Sequence, residues 1–159
     1  MRKKLFIINL EDSPLDSELN KETLASEGIE CKMLRVETEK DFIEAINKEG
    51  IDLILADYNL PVFDGLSALE LTHKLRPEVP FIFVSGALGE DIAIESLKKG
   101  ATDYVIKNRL LRLGPAVLRA LKEKEDEIER RHAEEELKES REQLKKFAAH
   151  LQTVREEER

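Results

Sequence analysis

The strongest constraint on the fold is a regular alternation of two kinds of segment over the first two-thirds of the chain. Short apolar runs rich in branched residues are typical of buried strands, and longer stretches with helical periodicity lie between them. The apolar runs are LFIINL at 5–10, CKMLRV at 31–36, DLILA at 52–56, FIFVS at 81–85 and DYVI at 103–106. This alternation predicts a parallel sheet with helices on both faces, because each parallel crossover needs a helix.

Glycine and proline mark the bounds of the helical stretches. Pro14 suits a first helical turn, and Gly28, Gly50 and Gly100 suit positions just past a helix end. We therefore predict helices at about 14–27, 39–49, 64–75 and 90–99. The charged residues within CKMLRV favour an edge strand, whereas nearly continuous apolar runs favour central strands.

The last third of the chain, residues 122–159, has a different composition. It contains no proline or glycine and is rich in Glu, Lys and Arg, which predicts a long solvated helix. Two sets of residues repeat every seven positions and interleave as one coiled-coil seam: Leu137, Leu144 and Leu151 with Ala133, Ser140, Phe147 and Val154. An earlier apolar group at 118–128 is out of phase with this seam. Because a lone helix would leave the leucines uncovered, we predict a homodimer through a parallel coiled coil.

Charge and composition narrow the class of protein. The net charge is −8, so a nucleic-acid partner is not expected. No apolar run is long enough to span a membrane, so we expect no membrane partner and a cytoplasmic location. The single cysteine, Cys31, excludes an internal disulfide and is interpreted as a small buried apolar residue.

Polar side chains follow four of the predicted strands at the point where each strand ends. They are Glu11 and Asp12 after the first strand, Asp57 after the third, Ser85 after the fourth and Lys107 after the fifth. The carboxyl ends of parallel strands meet at one edge of the sheet, where ligands bind in open α/β folds. We therefore expect three carboxylates, one hydroxyl and one ammonium to lie together.

Such a constellation suits phosphoryl transfer with a divalent cation. Packed carboxylates repel one another unless a cation lies among them, and ligands that are all oxygen favour Mg²⁺ over zinc. A carboxylate beside this ion can attack phosphorus and form an acyl phosphate, which is the role predicted for Asp57. Lys107 would neutralise the phosphoryl charge, Ser85 would donate a hydrogen bond, and the backbone carbonyl of Asn59 would face the ion.

Four motifs occur in a fixed order: LED after the first strand, DYNLP with a following DG, VSG after the fourth strand, and GATDYVIK. From residue 4 to about 121, the chain resembles the receiver domain of two-component response regulators. The resemblance implies a flavodoxin-like, doubly wound α/β fold with five parallel strands in the order 2-1-3-4-5, in a domain spanning 1–121. The extension 122–159 would then be a separate coiled-coil domain.

The resemblance also assigns roles to the residues at the strand ends. It implies that Asp57 accepts a phosphoryl group from a histidine kinase or phosphotransfer protein, and that Ser85 and Lys107 contact that group. It implies Mg²⁺ as the cofactor, bound by Glu11, Asp12, Asp57 and the carbonyl of Asn59. It further implies that Tyr104 is an aromatic switch residue that moves with Ser85.

One residue departs from the family pattern, and the tail leaves two interpretations open. Asn108 follows Lys107 where the family usually has proline, often with a cis bond. Because a cis bond without proline is costly, we expect the next loop to take another path. The ending LKKFAAHLQTVREEER resembles the lead-in to a histidine-kinase dimerisation helix. The chain is therefore either part of a hybrid kinase or a regulator that works through its coiled coil.

Simpler interpretations and other functions also stay open. Glu11 and Asp12 could be caps for the helix near Pro14, Tyr104 could be an ordinary sheet aromatic, and Asp64 most simply caps a helix. A metal-dependent aspartyl-phosphate phosphatase or phosphotransferase would share the chemistry, but such enzymes usually carry a second acid where this chain has Asn59. A scaffold with a degenerate head would have lost an acid or the lysine, and none is lost. We expect self-phosphorylation and self-dephosphorylation without turnover of a separate substrate.

Overall fold

The computed structural model of the protein describes residues 4–86 and 89–157. Its strands form one parallel sheet in the order β2-β1-β3-β4-β5, which confirms the predicted topology. The strands are Leu5–Leu10 (β1), Cys31–Val36 (β2), Leu53–Ala56 (β3), Phe81–Ser85 (β4) and Asp103–Ile106 (β5). The apolar runs therefore became strands with nearly the predicted bounds, and the one with charged residues lies at an edge.

Helices connect the strands, and three of them begin at side-chain caps. The helices are Pro14–Ser26 (α1), Glu39–Ile46 (α2), Gly65–Leu75 (α3), Glu90–Lys98 (α4) and Leu113–Glu157 (α5), with a 3₁₀ helix over Lys107–Arg112. The side chains of Ser13, Thr38 and Asp64 cap α1, α2 and α3 by accepting a backbone N–H three residues ahead. Helix α2 is shorter than predicted, because its apolar positions stop at Ile46 and the chain then turns towards Gly50.

Two apolar clusters, one on each face of the sheet, hold the sheet and helices together. Phe42 of α2 and Leu69 of α3 belong to one cluster, while Leu24 of α1 and Val117 of α5 belong to the other. Every residue of β3 and β4 is buried, as expected for central parallel strands covered on both sides. This packing fixes where the strands end, and so fixes the residues that follow them.

After β5 the chain enters the 3₁₀ helix directly. Every peptide bond of the described chain is trans, and Asn108 lies within this helix. Arg109 departs from helical geometry, with φ −128° and ψ 48°, which divides the 3₁₀ segment into two short turns ahead of α5. Lys107 is the first residue of this segment, so its position follows from the end of β5.

The chain divides into two compact units, Met1–Lys124 and Glu125–Arg159, and the 45-residue helix α5 contributes to both. In the second unit, Arg130 pairs with Glu127 and Glu134, which supports the helix through contacts three and four residues apart. Four apolar side chains of the seam are exposed there: Leu137, Leu144 (64%), Phe147 and Leu151. The boundary at 121 and the coiled coil stay predictions. None of the helices within the described ranges is apolar enough over a sufficient length to cross a membrane.

Candidate functional site

Asp57 follows β3 directly, and three neighbours hold its carboxylate. Its backbone N–H donates to the Leu10 carbonyl of β1 at 3.0 Å, which continues the sheet to this residue. Oδ1 accepts hydrogen bonds from the Ser85 hydroxyl at 2.7 Å and the Asn59 backbone N–H at 3.1 Å. Oδ2 accepts from Lys107 Nζ at 2.9 Å. Residues at the ends of three different strands therefore meet at one carboxylate.

Two more carboxylates lie beside Asp57. One oxygen each from Glu11, Asp12 and Asp57 falls within 4.8 Å of the others. Glu11 is 1% exposed, and burial together with its contact to Asp12 raises its pKa to about 7, although the Ser13 N–H and Lys107 oppose the rise. A divalent cation would relieve this cost, and the oxygen ligands suit Mg²⁺. The residues present therefore fit a hard cation.

Lys107 contacts three carboxylates, one of which was not expected from the sequence. Its Nζ lies 2.9 Å from Asp57 Oδ2, 3.1 Å from Glu11 Oε2 and 2.8 Å from Asp16 Oδ2. Partial burial disfavours the charge on Lys107, but the hydrogen bonds to Asp16 and Asp57 and the charges of Glu11 and Asp57 raise its pKa overall. Asp16 was missed by the sequence analysis, and the signal for it was its place in the first turn of α1, just after the Ser13 cap.

A family model for the response regulator receiver domain matches residues 7–128. The chain belongs to this family. The luminescence regulatory protein LuxO of Vibrio campbellii is 35% identical over 98 residues, which cover 62% of this chain and 21% of that protein. The match therefore spans about a fifth of the curated relative.

Solved structures show the same receiver fold. A CheY-like receiver domain protein from Methanospirillum hungatei superimposes with a TM-score of 0.66 at 29% identity, covering 79% of this chain and 99% of that one. NtrX from Brucella abortus superimposes with a TM-score of 0.71 at 26% identity, covering 82% of this chain and 29% of that one. The cluster of Glu11, Asp12 and Asp57 with Lys107 is thus the acidic pocket of a receiver domain.

Tyr104 of the receiver is buried beside the pocket. Its ring centroid lies 6.4 Å from that of Phe83 on β4, its neighbour in the sheet register. Its hydroxyl is buried without a hydrogen bond to any described residue. Burial, the charge of Asp57 and nearby Tyr58 raise its pKa, and only the Ser85 side chain opposes the rise. The hydroxyl is therefore a buried polar group close to Ser85 that lacks a hydrogen bond of normal geometry to the described residues.

Gly65 lets α3 of the receiver begin against the backbone of the pocket. A Cβ atom at this position would lie 2.6 Å from the Asp57 carbonyl oxygen and 2.6 Å from Phe83 Cε1. The preceding residue, Asp64, caps α3 by accepting the Ser67 N–H at 2.7 Å, in line with the simpler sequence interpretation. This close approach fixes the turn that follows Asp57. The turn holds Asn59, whose carbonyl role as an ion ligand stays a prediction.

Proposed function

We propose that Asp57 accepts a phosphoryl group in the cytoplasm from a histidine kinase or phosphotransfer protein. The main support for this proposal is that the Asp57 carboxylate lies within hydrogen-bond distance of both Ser85 and Lys107 and beside two further acids. Acid, hydroxyl and ammonium come from strands that are distant in sequence. Their convergence supports a site for chemistry over separate helix caps, because Ser13, not Glu11 or Asp12, caps α1.

In the proposed reaction, an Asp57 carboxylate oxygen attacks phosphorus. The new O–P bond forms as the bond from phosphorus to the leaving group breaks, and the leaving group departs with the electron pair. Lys107 then donates to a phosphoryl oxygen, and the Ser85 hydroxyl donates to another. Glu11, Asp12, Asp57 and the Asn59 carbonyl would hold Mg²⁺, which supplies positive charge for the phosphoryl oxygens.

An aspartyl-phosphate phosphatase would need a proton donor two residues after Asp57, and this chain has none at that position. The residue there is Asn59. The backbone N–H of Asn59 is used instead to orient Asp57 Oδ1. An amide cannot deliver a proton to a leaving group at neutral pH. This favours a module that turns over its own phosphate and no separate substrate.

We infer that phosphorylation moves Ser85 towards the new phosphoryl group and that Tyr104 follows. The added charge of nearly two units draws the Ser85 hydroxyl away from its bond to Asp57 Oδ1. Movement of Ser85 then favours reorientation of the Tyr104 hydroxyl towards a new partner, because a buried polar group without a partner is costly. Phosphate would shift the populations of two arrangements that already exist.

The output in this proposal is the C-terminal helix. Helix α5 is continuous from Leu113 and carries the exposed seam that begins at Ala133. Exposed leucines repeating every seven residues support a parallel homodimer, and the helix would serve as a lead-in to a kinase dimerisation helix in a hybrid sensor. Rotation or altered pairing of the two helices would carry the signal.

Incubation with acetyl phosphate and Mg²⁺, followed by intact mass measurement, tests the proposal. We expect a gain of one phosphoryl group that is lost in Asp57→Asn and in EDTA. Asp64→Asn is the matched control, because this acid lies nearby but serves as a helix cap. A gain of mass that persists in Asp57→Asn would overturn the assignment.

A further inference from the structure

The contact between Asp16 and Lys107 lies outside the roles assigned so far. Asp16 Oδ2 is 2.8 Å from Lys107 Nζ, the shortest of the three carboxylate contacts of this ammonium. The two residues are 91 positions apart in sequence. Asp16 is not one of the three acids whose oxygens cluster within 4.8 Å. It therefore binds the lysine of the pocket and not the metal cluster.

Three carboxylates surround the ammonium group of Lys107. Asp16 and Asp57 accept hydrogen bonds from Nζ, and Glu11 Oε2 forms an ion pair with it at 3.1 Å. An ammonium group has only three N–H donors, so a phosphoryl group that arrives at Asp57 must compete with these carboxylates for the ammonium. Glu11 is buried, and Asp57 is the attacking group, so both stay in place. The side chain of Asp16 is 40% exposed and can turn to solvent, which makes its contact the one that exchanges.

We propose that Asp16 is a positioning residue that restrains Lys107 and thereby slows phosphoryl acceptance by Asp57. The inference rests on the proposed function, because it concerns the rate of that reaction. When acetyl phosphate is the donor, the Asp57–phosphorus bond forms, the phosphorus–oxygen bond to the acetyl group breaks, and acetate leaves with the electron pair. In the same step one Lys107 N–H changes its acceptor from Asp16 to a phosphoryl oxygen. No proton is gained or lost in this exchange.

The charge-neutral variant Asp16→Asn should accept phosphate faster. A hydrogen bond from an ammonium to a neutral amide is weaker than one to a carboxylate, so Lys107 is released more readily. This weaker restraint on Lys107 predicts a rate about fivefold higher than that of the wild type with acetyl phosphate. The conservative variant Asp16→Glu keeps the charge and should restore a rate close to that of the wild type.

Three further measurements separate a positioning role from a structural one. Glu18→Gln removes an equal charge from an exposed position of α1 and should leave the rate unchanged. The gain from Asp16→Asn should disappear when Lys107 is also replaced by Gln, because the restrained group is then missing. The affinity for Mg²⁺, measured by calorimetry, should be the same in Asp16→Asn and the wild type.

Each result of these measurements either supports or overturns the proposed role of Asp16. A faster Asp16→Asn variant, no gain in the Lys107→Gln background and unchanged Mg²⁺ affinity would support the proposal. It is overturned by an unchanged or slower Asp16→Asn variant, by a gain that persists without Lys107, or by a loss of Mg²⁺ affinity that makes Asp16 a metal ligand. If the wild type gains phosphate and Asp57→Asn does not, while Asp16→Asn equals the wild type, only this inference fails. If the wild type gains no phosphate, the proposed function fails with it.

Discussion

Replacement of Glu11 by Gln tests the electrostatics of the acidic pocket through the pH dependence of stability. Burial raises the pKa of Glu11 from its ordinary value of 4.5 to about 7. The folded-state pKa thus lies above the unfolded-state pKa, and folding favours the protonated carboxyl. This contribution to stability is fully present below pH 4.5 and is lost as the pH rises through about 7.

The size of the effect follows from the same two pKa values. At about 1.4 kcal/mol for each pH unit between them, the ceiling is roughly 3 kcal/mol. We expect about 2 kcal/mol, since solvent at the open rim of the pocket screens part of the charge. Gln is neutral at every pH, so Glu11→Gln should exceed the wild type in stability by this amount near pH 8 and by almost nothing near pH 4.

Urea unfolding in EDTA at the two pH values measures the difference, with Glu18→Gln as a control that removes one carboxylate from an exposed position. Addition of Mg²⁺ should reverse the order near pH 8, because the wild type then binds the ion and gains stability from it. The reasoning is refuted if Glu11→Gln is less stable than the wild type near pH 8 in EDTA. An equal gain at both pH values would also refute it.

Three other changes have defined outcomes. Gly65→Ala should lower the unfolding free energy, measured by urea unfolding, by about 2 kcal/mol, because the new Cβ atom would clash with the Asp57 carbonyl. Gly86→Ala is the control and should leave the unfolding free energy unchanged, because a Cβ atom there meets no other atom within 4 Å. Tyr104→Phe should raise the stability of the unphosphorylated protein by about 1 kcal/mol, because it removes a buried hydroxyl that has no hydrogen bond to the described residues. Tyr58→Phe is the control in the same assay, and an equal change in both variants would contradict this explanation. Leu144→Asp should convert a dimer to a monomer in sedimentation experiments, and a monomeric wild type would contradict the coiled coil.

The fold was predictable because periodicity and burial agree along most of the chain. The run FIFV at 81–84 is apolar on both faces, which is typical of a central parallel strand. The end of α2 was placed too late, since glycine at position 50 marks the following turn and not the helix end at Ile46. A polar stretch before a glycine fits a helix end and a turn equally well, so sequence alone does not choose.

The sequence predicted those site residues whose positions are determined by the strand order of the sheet. Parallel strands bring the residues after them to one edge, and Glu11, Asp57 and Lys107 meet there. The Asp16 contact was not predictable, because it depends on how α1 packs beside the start of the 3₁₀ helix and on a side-chain rotamer. The unpaired state of the Tyr104 hydroxyl likewise depends on packing around β4 and β5, which spacing does not encode.

Chemical trapping tests the central claim most directly, because it identifies the residue that carries the phosphoryl group. The protein is incubated with acetyl phosphate and Mg²⁺, reduced with borohydride, which converts an aspartyl phosphate to homoserine, and digested for peptide mass mapping. The account predicts homoserine at Asp57 and no modification at Glu11, Asp12 or Asp16. Homoserine at Asp12 or Asp16, or an Asp57 that stays unmodified while the protein gains phosphate elsewhere, would contradict it.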